Sequence, residues 1–200
     1  ENHKNSKYFS KRLNPLLTAT DNPAIFKDAD VIVIVLPSQV ISGVVKNVIV
    51  PQLEKKTVFI SASKGYDHIN QITLVESISN AIPEHLNGGV MKLSGPSFAI
   101  DVVKDQFTYF DLAYENLAEA KELALLLKTD SIKIHGTKKL FEVELVSMLK
   151  NPYAILMGII DGLGYKENTR AALFTQCIVD MQNIINKLGG DDSKVVSAAG

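Results

Sequence analysis

One run constrains this chain more than any other. Val31-Ile32-Val33-Ile34-Val35-Leu36 places six apolar residues in a row, mostly β-branched, with no polar break. Branching at Cβ favours extended backbone. A strand with one wet face alternates polar and apolar residues; one that does not alternate reads as buried on both faces, as in a parallel sheet covered by helices. Pro37-Ser38 ends the run, Gln39 to Val50 reads as a helix, and Pro51 stops it. Upstream, Asp21 is placed to cap a short helix with Pro23 in its first turn.

The pattern recurs. Thr57 to Ser61 reads as a second strand ending at Ser63-Lys64-Gly65, and Ile72 to Ile82 as a helix. Val90 to Leu93 reads as a third strand, ending at Ser94-Gly95-Pro96-Ser97-Phe98-Ala99. Thr108 to Ala113 and Ser131 to His135 read as two more, with a helix from Leu117 to Leu127 between them. Strands alternating with helices predict an α/β architecture with a mostly parallel sheet. Residues 1–136 are assigned to that layer, and residues 137–200 read as helices only. Phe141 to Ile160 is apolar nearly all round, which predicts deep burial. A second long helix is expected to be capped by Asn168 or Thr169 and ended by Gly189-Gly190.

Composition removes several function classes. The chain is 46% hydrophobic and 22% charged, and its 21 basic residues are offset by 22 acidic ones, which argues against a nucleic-acid binder working by bulk charge. The lone Cys177 excludes an internal disulfide and fits a reducing compartment. His3, His68, His85 and His135 share no metal-ligand spacing. Glu144, Ser147, Lys150, Asn151 and Pro152 make the longest apolar stretch too polar for a membrane span, and no signal-peptide pattern is seen, so a cytoplasmic protein is expected.

Chemistry is expected where the strands end, because ligands of open parallel sheets bind beyond the carboxyl ends of the strands. Pro37-Ser38, Ser63-Lys64-Gly65 and Ser94-Gly95-Pro96-Ser97 bring small residues and one cation to that edge. Each alone is explained as a turn; three on one edge point to a site. The second signal is Lys150-Asn151, since an ammonium within an apolar helix needs a partner or a function. Glu144 and Glu142 are possible partners. Pro152 predicts either a kink or a break beside that pair. Gly158, Gly162 and Gly164 do not form a dinucleotide fingerprint, and no Walker loop, nucleophile elbow or zinc-protease helix occurs. Cys177 reads as a core residue, Lys121-Glu122 as a solvated face, and Tyr8-Phe9 as a packed aromatic pair.

Taken in order, these motifs resemble the NAD(P)-dependent glycerol-3-phosphate dehydrogenases over nearly the whole chain. Asn5 with Tyr8-Phe9 and Leu13, Ala29-Asp30-Val31 through Leu36-Pro37-Ser38, and Ser63-Lys64-Gly65 each match a family segment. Ser94-Gly95-Pro96-Ser97-Phe98-Ala99 is close to a family signature. Glu144-Leu145, Leu149-Lys150-Asn151, Ala154-Ile155, Gly158, Asp161-Gly162, Gly164, Asn168 and Ala171-Ala172-Leu173 follow in the family's order.

The resemblance implies a Rossmann-like sheet followed by a helical domain. It implies reversible reduction of dihydroxyacetone phosphate to glycerol 3-phosphate with NAD or NADP, which supplies glycerol 3-phosphate for phospholipid synthesis. Lys150 is similar to the family's catalytic lysine, and Asn151 would orient the substrate. Lys64, Gly95 and Ser97 match substrate-contacting positions. Pro37, Ser38, Lys64 and Ala99 match the cofactor side, and family habit implies a homodimer. A related 3-hydroxyacid, 6-phosphogluconate or ketopantoate reductase, or a non-catalytic α/β binding module, are the competing readings. Pro152, Ser147 and Glu142 depart from the family pattern. The Gly-rich fingerprint and the substrate-phosphate residues fall before and after the present ends, so residues 1–200 are expected to be the central piece of a longer protein, inactive on its own.

Overall fold

The computed structural model describes residues 5, 7, 8, 10–115 and 119–197. Phe9, His3, Leu117, Ala198 and Ala199 lie outside the described residues. Five strands lie side by side in sequence order: β1 (Val31–Ile34), β2 (Thr57–Ser61), β3 (Asn87–Ser94), β4 (Thr108–Ala113) and β5 (Ile132–Thr137). All neighbours are parallel except β3 and β4, which are antiparallel. The mostly parallel α/β sheet expected from the strand–helix rhythm is therefore present.

The founding run behaves differently from expectation. Ile32 and Ile34 are buried, but Val33 is 48% and Val35 71% exposed. Among the described residues β1 pairs only with β2 and forms the edge of the sheet. One face is covered by the helical segment after β1 and by α2 (Leu74–Ala81), where Ile32, Ile34 and Phe59 pack with Ile41, Val45 and Leu74. On the other face, α4 (Glu119–Leu127) covers Ile60, Met91 and Leu112 through Leu123. It leaves the outer side of β1 open.

The helical segment after β1 is not one regular helix. It opens as a 3₁₀ turn at Ser38–Val40, runs as α1 (Ile41–Val44), widens to a π turn at Val45–Ile49, and tightens again at Val50–Gln52. Pro51 sits in the first positions of that last turn, where a missing N–H costs little. Asn22, not Asp21, caps the turn Pro23–Asp28, accepting from the Ala24 N–H at 3.0 Å. α2 starts on a capping pair, with Thr73 Oγ1 accepting from the Glu76 N–H at 3.2 Å. A short helix, α3 (Ala99–Val103), follows the Ser94–Ala99 turn.

Beyond β5 the chain forms α5 (Leu140–Gly162) and α6 (Glu167–Lys187). Pro152 lies inside α5, which continues through it. Deep burial holds only for the first half of α5. Val143, Leu145 and Val146 pack with Met181 and Ile185 of α6 and with Ala113, whereas Ile155 is 66% and Ile159 53% exposed. The sheet reaches only the first half, because α5 leaves it there. By length and composition α5 is apolar enough to cross a membrane, so its polar residues do not exclude a span as the sequence suggested; its first half instead packs on the sheet. Lys166 occupies the α6 cap position without a side-chain bond, and neither Asn168 nor Thr169 is the cap. Arg170 ties that first turn to α5 through Asp161 at 2.7 Å. Gly189, at φ 83°, ends α6 in the left-handed region. Tyr8 is exposed, with the Lys7 ammonium 5.2 Å from its ring, rather than packed in the core.

The chain returns to the sheet through a buried carboxylate. Asp111 of β4 is fully buried and faces His135 Nδ1 at 2.7 Å, the Ser197 hydroxyl at 2.8 Å and Lys194 Nζ at 3.5 Å. Burial alone would raise its pKa, but the hydrogen bonds from His135 and Ser197 and the Lys194 charge hold it below the usual carboxylate range. Asp111→Ala leaves Lys194 buried beside no carboxylate from β4, and should lower unfolding free energy by about 3 kcal/mol in urea titrations at neutral pH. A carboxyl with a depressed native pKa stabilises above its unfolded pKa of roughly 4 and loses that contribution as pH falls through the native value. The wild-type and Asp111→Ala stabilities should therefore converge in acid.

Candidate active site

The expected site residues divide into two groups in space. Lys64, Gly95, Ser97, Lys150 and Asn151 all line one cavity of about 380 Å³. It is walled by the ends of β2 and β3 on one side and by α5 and α6 on the other. Much of its lining is apolar, from Phe98, Tyr153, Met157, Phe174 and Met181. Cys177 is buried as expected, but it also contributes to this wall. Pro37, Ser38 and Ala99 are outside the lining. Pro37 and Ser38 follow β1 at the neighbouring strand end, and the exposed Ala99 opens α3.

Local geometry fixes these turns. Gly65 has φ 129°, and a Cβ there would lie 2.9 Å from Ser38 Oγ, so the Lys64 turn is wedged against the turn after β1. Gly95 is pressed against β4: a Cβ would lie 2.4 Å from the Tyr109 carbonyl oxygen. Ser97 Oγ donates back to the Gly95 carbonyl at 3.3 Å and closes the turn. Gly95→Ala must push β4 away from β3. It should cost about 2 kcal/mol of stability, read as a lower melting temperature, and should weaken any ligand bound in the cavity.

Lys150 is half-buried. Burial first, and then the charge of Lys64, lower its pKa below the ordinary lysine value. Both carboxylates considered as its partners have other contacts. Glu144 Oε1 accepts from the Val75 N–H at 3.0 Å and Glu142 Oε1 from the Asp191 N–H at 3.2 Å. Burial raises the Glu144 pKa, against the opposing effect of its bond from Thr73.

The sequence reading passed over Lys92. This β3 lysine is 2% exposed and donates to the Ser63 carbonyl. Burial lowers its pKa to about 8, with Glu144 raising it and Lys64 lowering it further. Like Lys150, Lys92 is an ammonium in an apolar run, Val90-Met91-Lys92-Leu93. Among the described residues no group of three or more His, Cys, Asp or Glu side chains is arranged to hold a metal ion.

Residues 1–120 match the family profile described as NAD-dependent glycerol-3-phosphate dehydrogenase N-terminus, and residues 140–200 match the corresponding C-terminus. This chain belongs to the NAD-dependent glycerol-3-phosphate dehydrogenase family. It is 34% identical over 202 residues to glycerol-3-phosphate dehydrogenase [NAD(P)+] of Leptospira biflexa, covering 100% of this chain and 60% of that protein. The Staphylococcus carnosus enzyme of the same name is 34% identical over 201 residues, covering 99% and 60%. The chain thus spans about 60% of the length of these relatives. The crystal structure of glycerol-3-phosphate dehydrogenase from Coxiella burnetii matches with a TM-score of 0.88 at 28% identity, covering 100% of this chain and 60% of that one. A ketopantoate reductase from Ralstonia eutropha shares the fold alone, at TM-score 0.61 and 11% identity.

Proposed function

We propose that the protein containing these residues interconverts dihydroxyacetone phosphate and sn-glycerol 3-phosphate with NAD or NADP, and so supplies glycerol 3-phosphate for phospholipid synthesis. One observation carries the reading: in a chain of this family, Lys64 and Lys150 line the same cavity as Asn151 and the Gly95–Ser97 turn. Residues 1–136 form the nucleotide-binding part in this reading, and residues 137–200 begin the substrate part.

The lining fits a nicotinamide. Apolar walls from Phe98, Met157 and Phe174 suit a flat ring, and the polar groups beside it are Lys64, Lys150 and Asn151. Pro37, Ser38 and Ala99 would flank the remainder of the cofactor at the adjoining strand end. When bound, the reduced cofactor supplies a hydride and its oxidised form takes one back.

The chain's own residues handle the proton and the phosphate ester. Lys64 attracts the anionic substrate, and Asn151 hydrogen-bonds and orients it. Lys150, as ammonium, gives a proton to the carbonyl oxygen as that carbon gains hydride, leaving the alcohol and a neutral amine. In reverse the amine takes the hydroxyl proton. Burial next to Lys64 lowers the Lys150 pKa, so the amine becomes available at lower pH than for a free lysine.

Lys150→Met in the full-length protein should cut turnover by at least about 100-fold without altering its circular dichroism. Near-normal turnover would remove Lys150 from this role. The pH profile has a defined sign. Reduction needs the ammonium, so its rate should fall as pH rises through the lowered pKa; oxidation needs the amine and should rise across the same interval. Steady-state rates in both directions check this. A cytoplasmic homodimer belongs to the same reading, and sedimentation equilibrium of the full-length protein tests the dimer.

A further inference from the structure

We propose that Lys92 is a positioning residue that holds the Lys64 turn in register for substrate binding. The proposal rests on the functional reading above but concerns a residue that the reading does not use. Lys92 reaches from β3 to the carbonyl of Ser63, the residue immediately before Lys64. Ser63 is itself a junction. Its hydroxyl accepts from the Leu36 N–H at 2.8 Å and donates to the Ile34 carbonyl at 3.4 Å. One buried ammonium is therefore linked through one serine to the end of β1, just before Pro37-Ser38, and to the turn that carries Lys64.

The surroundings suit a cation and not an apolar residue. Ser61 is the in-register neighbour of Lys92 on β2. Ser94 lies two residues along β3 and so on the same face. Both hydroxyls are buried and have no hydrogen-bond partner among the described residues. Glu144 acts on Lys92 from α5 with the opposite charge, and Lys64 acts on it with the same charge. A lysine supplies the donor that reaches the Ser63 carbonyl; a methionine of similar length has none.

The test compares wild type with Lys92→Met by two readouts. In the full-length enzyme, the KM for dihydroxyacetone phosphate should rise about tenfold while kcat and the cofactor KM change less than about threefold, because the turn and not the proton donor is displaced. In the same full-length protein, amide hydrogen exchange across residues 62–66 should speed up by at least about tenfold while exchange within β2 and β3 holds. A merely structural role would lower the fraction folded, and so the apparent kcat, without moving KM. An unchanged KM in a folded variant overturns the proposal. If Lys92→Met does not fold, Lys92→Gln replaces it, since its shorter neutral amide suits the polar flank of Ser61 and Ser94, and the same two results are expected. A wild-type protein without turnover would overturn the functional reading instead. Lys92 would then stand or fall on exchange at residues 62–66 alone.

Discussion

The parallel ladder of β1 and β2 ends at the Ile34–Ser61 pair, and everything that lines the cavity from the sheet side comes after that point. Beyond a ladder's end the backbone has no regular partners, so its N–H and C=O groups must be satisfied one by one. Ser63 does this for both strand ends, pairing with the Leu36 N–H and the Ile34 carbonyl through its hydroxyl and with Lys92 through its carbonyl. The Ala62 N–H also bonds the Ile34 carbonyl, at 3.0 Å, and the Gly65–Ser38 contact brings the Lys64 and Pro37-Ser38 turns together beside Ser63. A site assembled on loops would otherwise be as loose as the loops.

Buried charge is the other recurrent device, and it sits on one face of the sheet. Direct pairing puts Ser61, Lys92 and Ala113 in line across β2, β3 and β4, and Ser94, Asp111 and His135 in the next line. Burying an ion costs several kcal/mol unless partners offset it. Asp111 has such partners in His135, Lys194 and Ser197, of which Lys194 and Ser197 also bind the segment after α6 to the sheet. Glu144 brings a carboxylate from α5 onto the cap of α2. The apolar contacts of α5 hold it against the sheet, and these polar ones fix where along the sheet it lies, because a slid helix would strand a buried charge.

What was legible in the sequence followed from local physics. β-branched runs mark the strands, the spacing from Ile72 to Ile82 a helix, and Gly189-Gly190 a helix end. Lys150 was conspicuous because its neighbours were apolar. What was hidden depended on long-range partners. β1 reads as doubly buried from its own residues, but burial of a strand face depends on which helix reaches it, and α4 stops short. The apolar run of α5 reads as uniformly buried for the same reason. Lys92 escaped notice because a single lysine on a strand is ordinary when that face is wet. The apolar run around it is the one local signal, and the register, which places it between Ser61 and Ala113, shows that it is dry. Asp111 is equally silent, since its partners lie between 24 and 86 residues away.

The half-covered state of α5 bears directly on its lysine. Val143 to Ser147 are buried against the sheet and α6, Ile155 and Ile159 are exposed, and Lys150 falls at the changeover. The role proposed for Lys150, that of proton donor, makes opposite demands on its surroundings. Desolvation is needed to bring a lysine's pKa down from its ordinary value, yet a donor sealed from water cannot recover its proton between turnovers. A lysine one turn earlier on α5 would be locked like Lys92, which shares full burial and is tied to a backbone carbonyl. One turn later it would be solvated, and burial would no longer lower its pKa. The position where the helix leaves the sheet satisfies both demands, and the neighbouring charge of Lys64 adds to the shift without further burial.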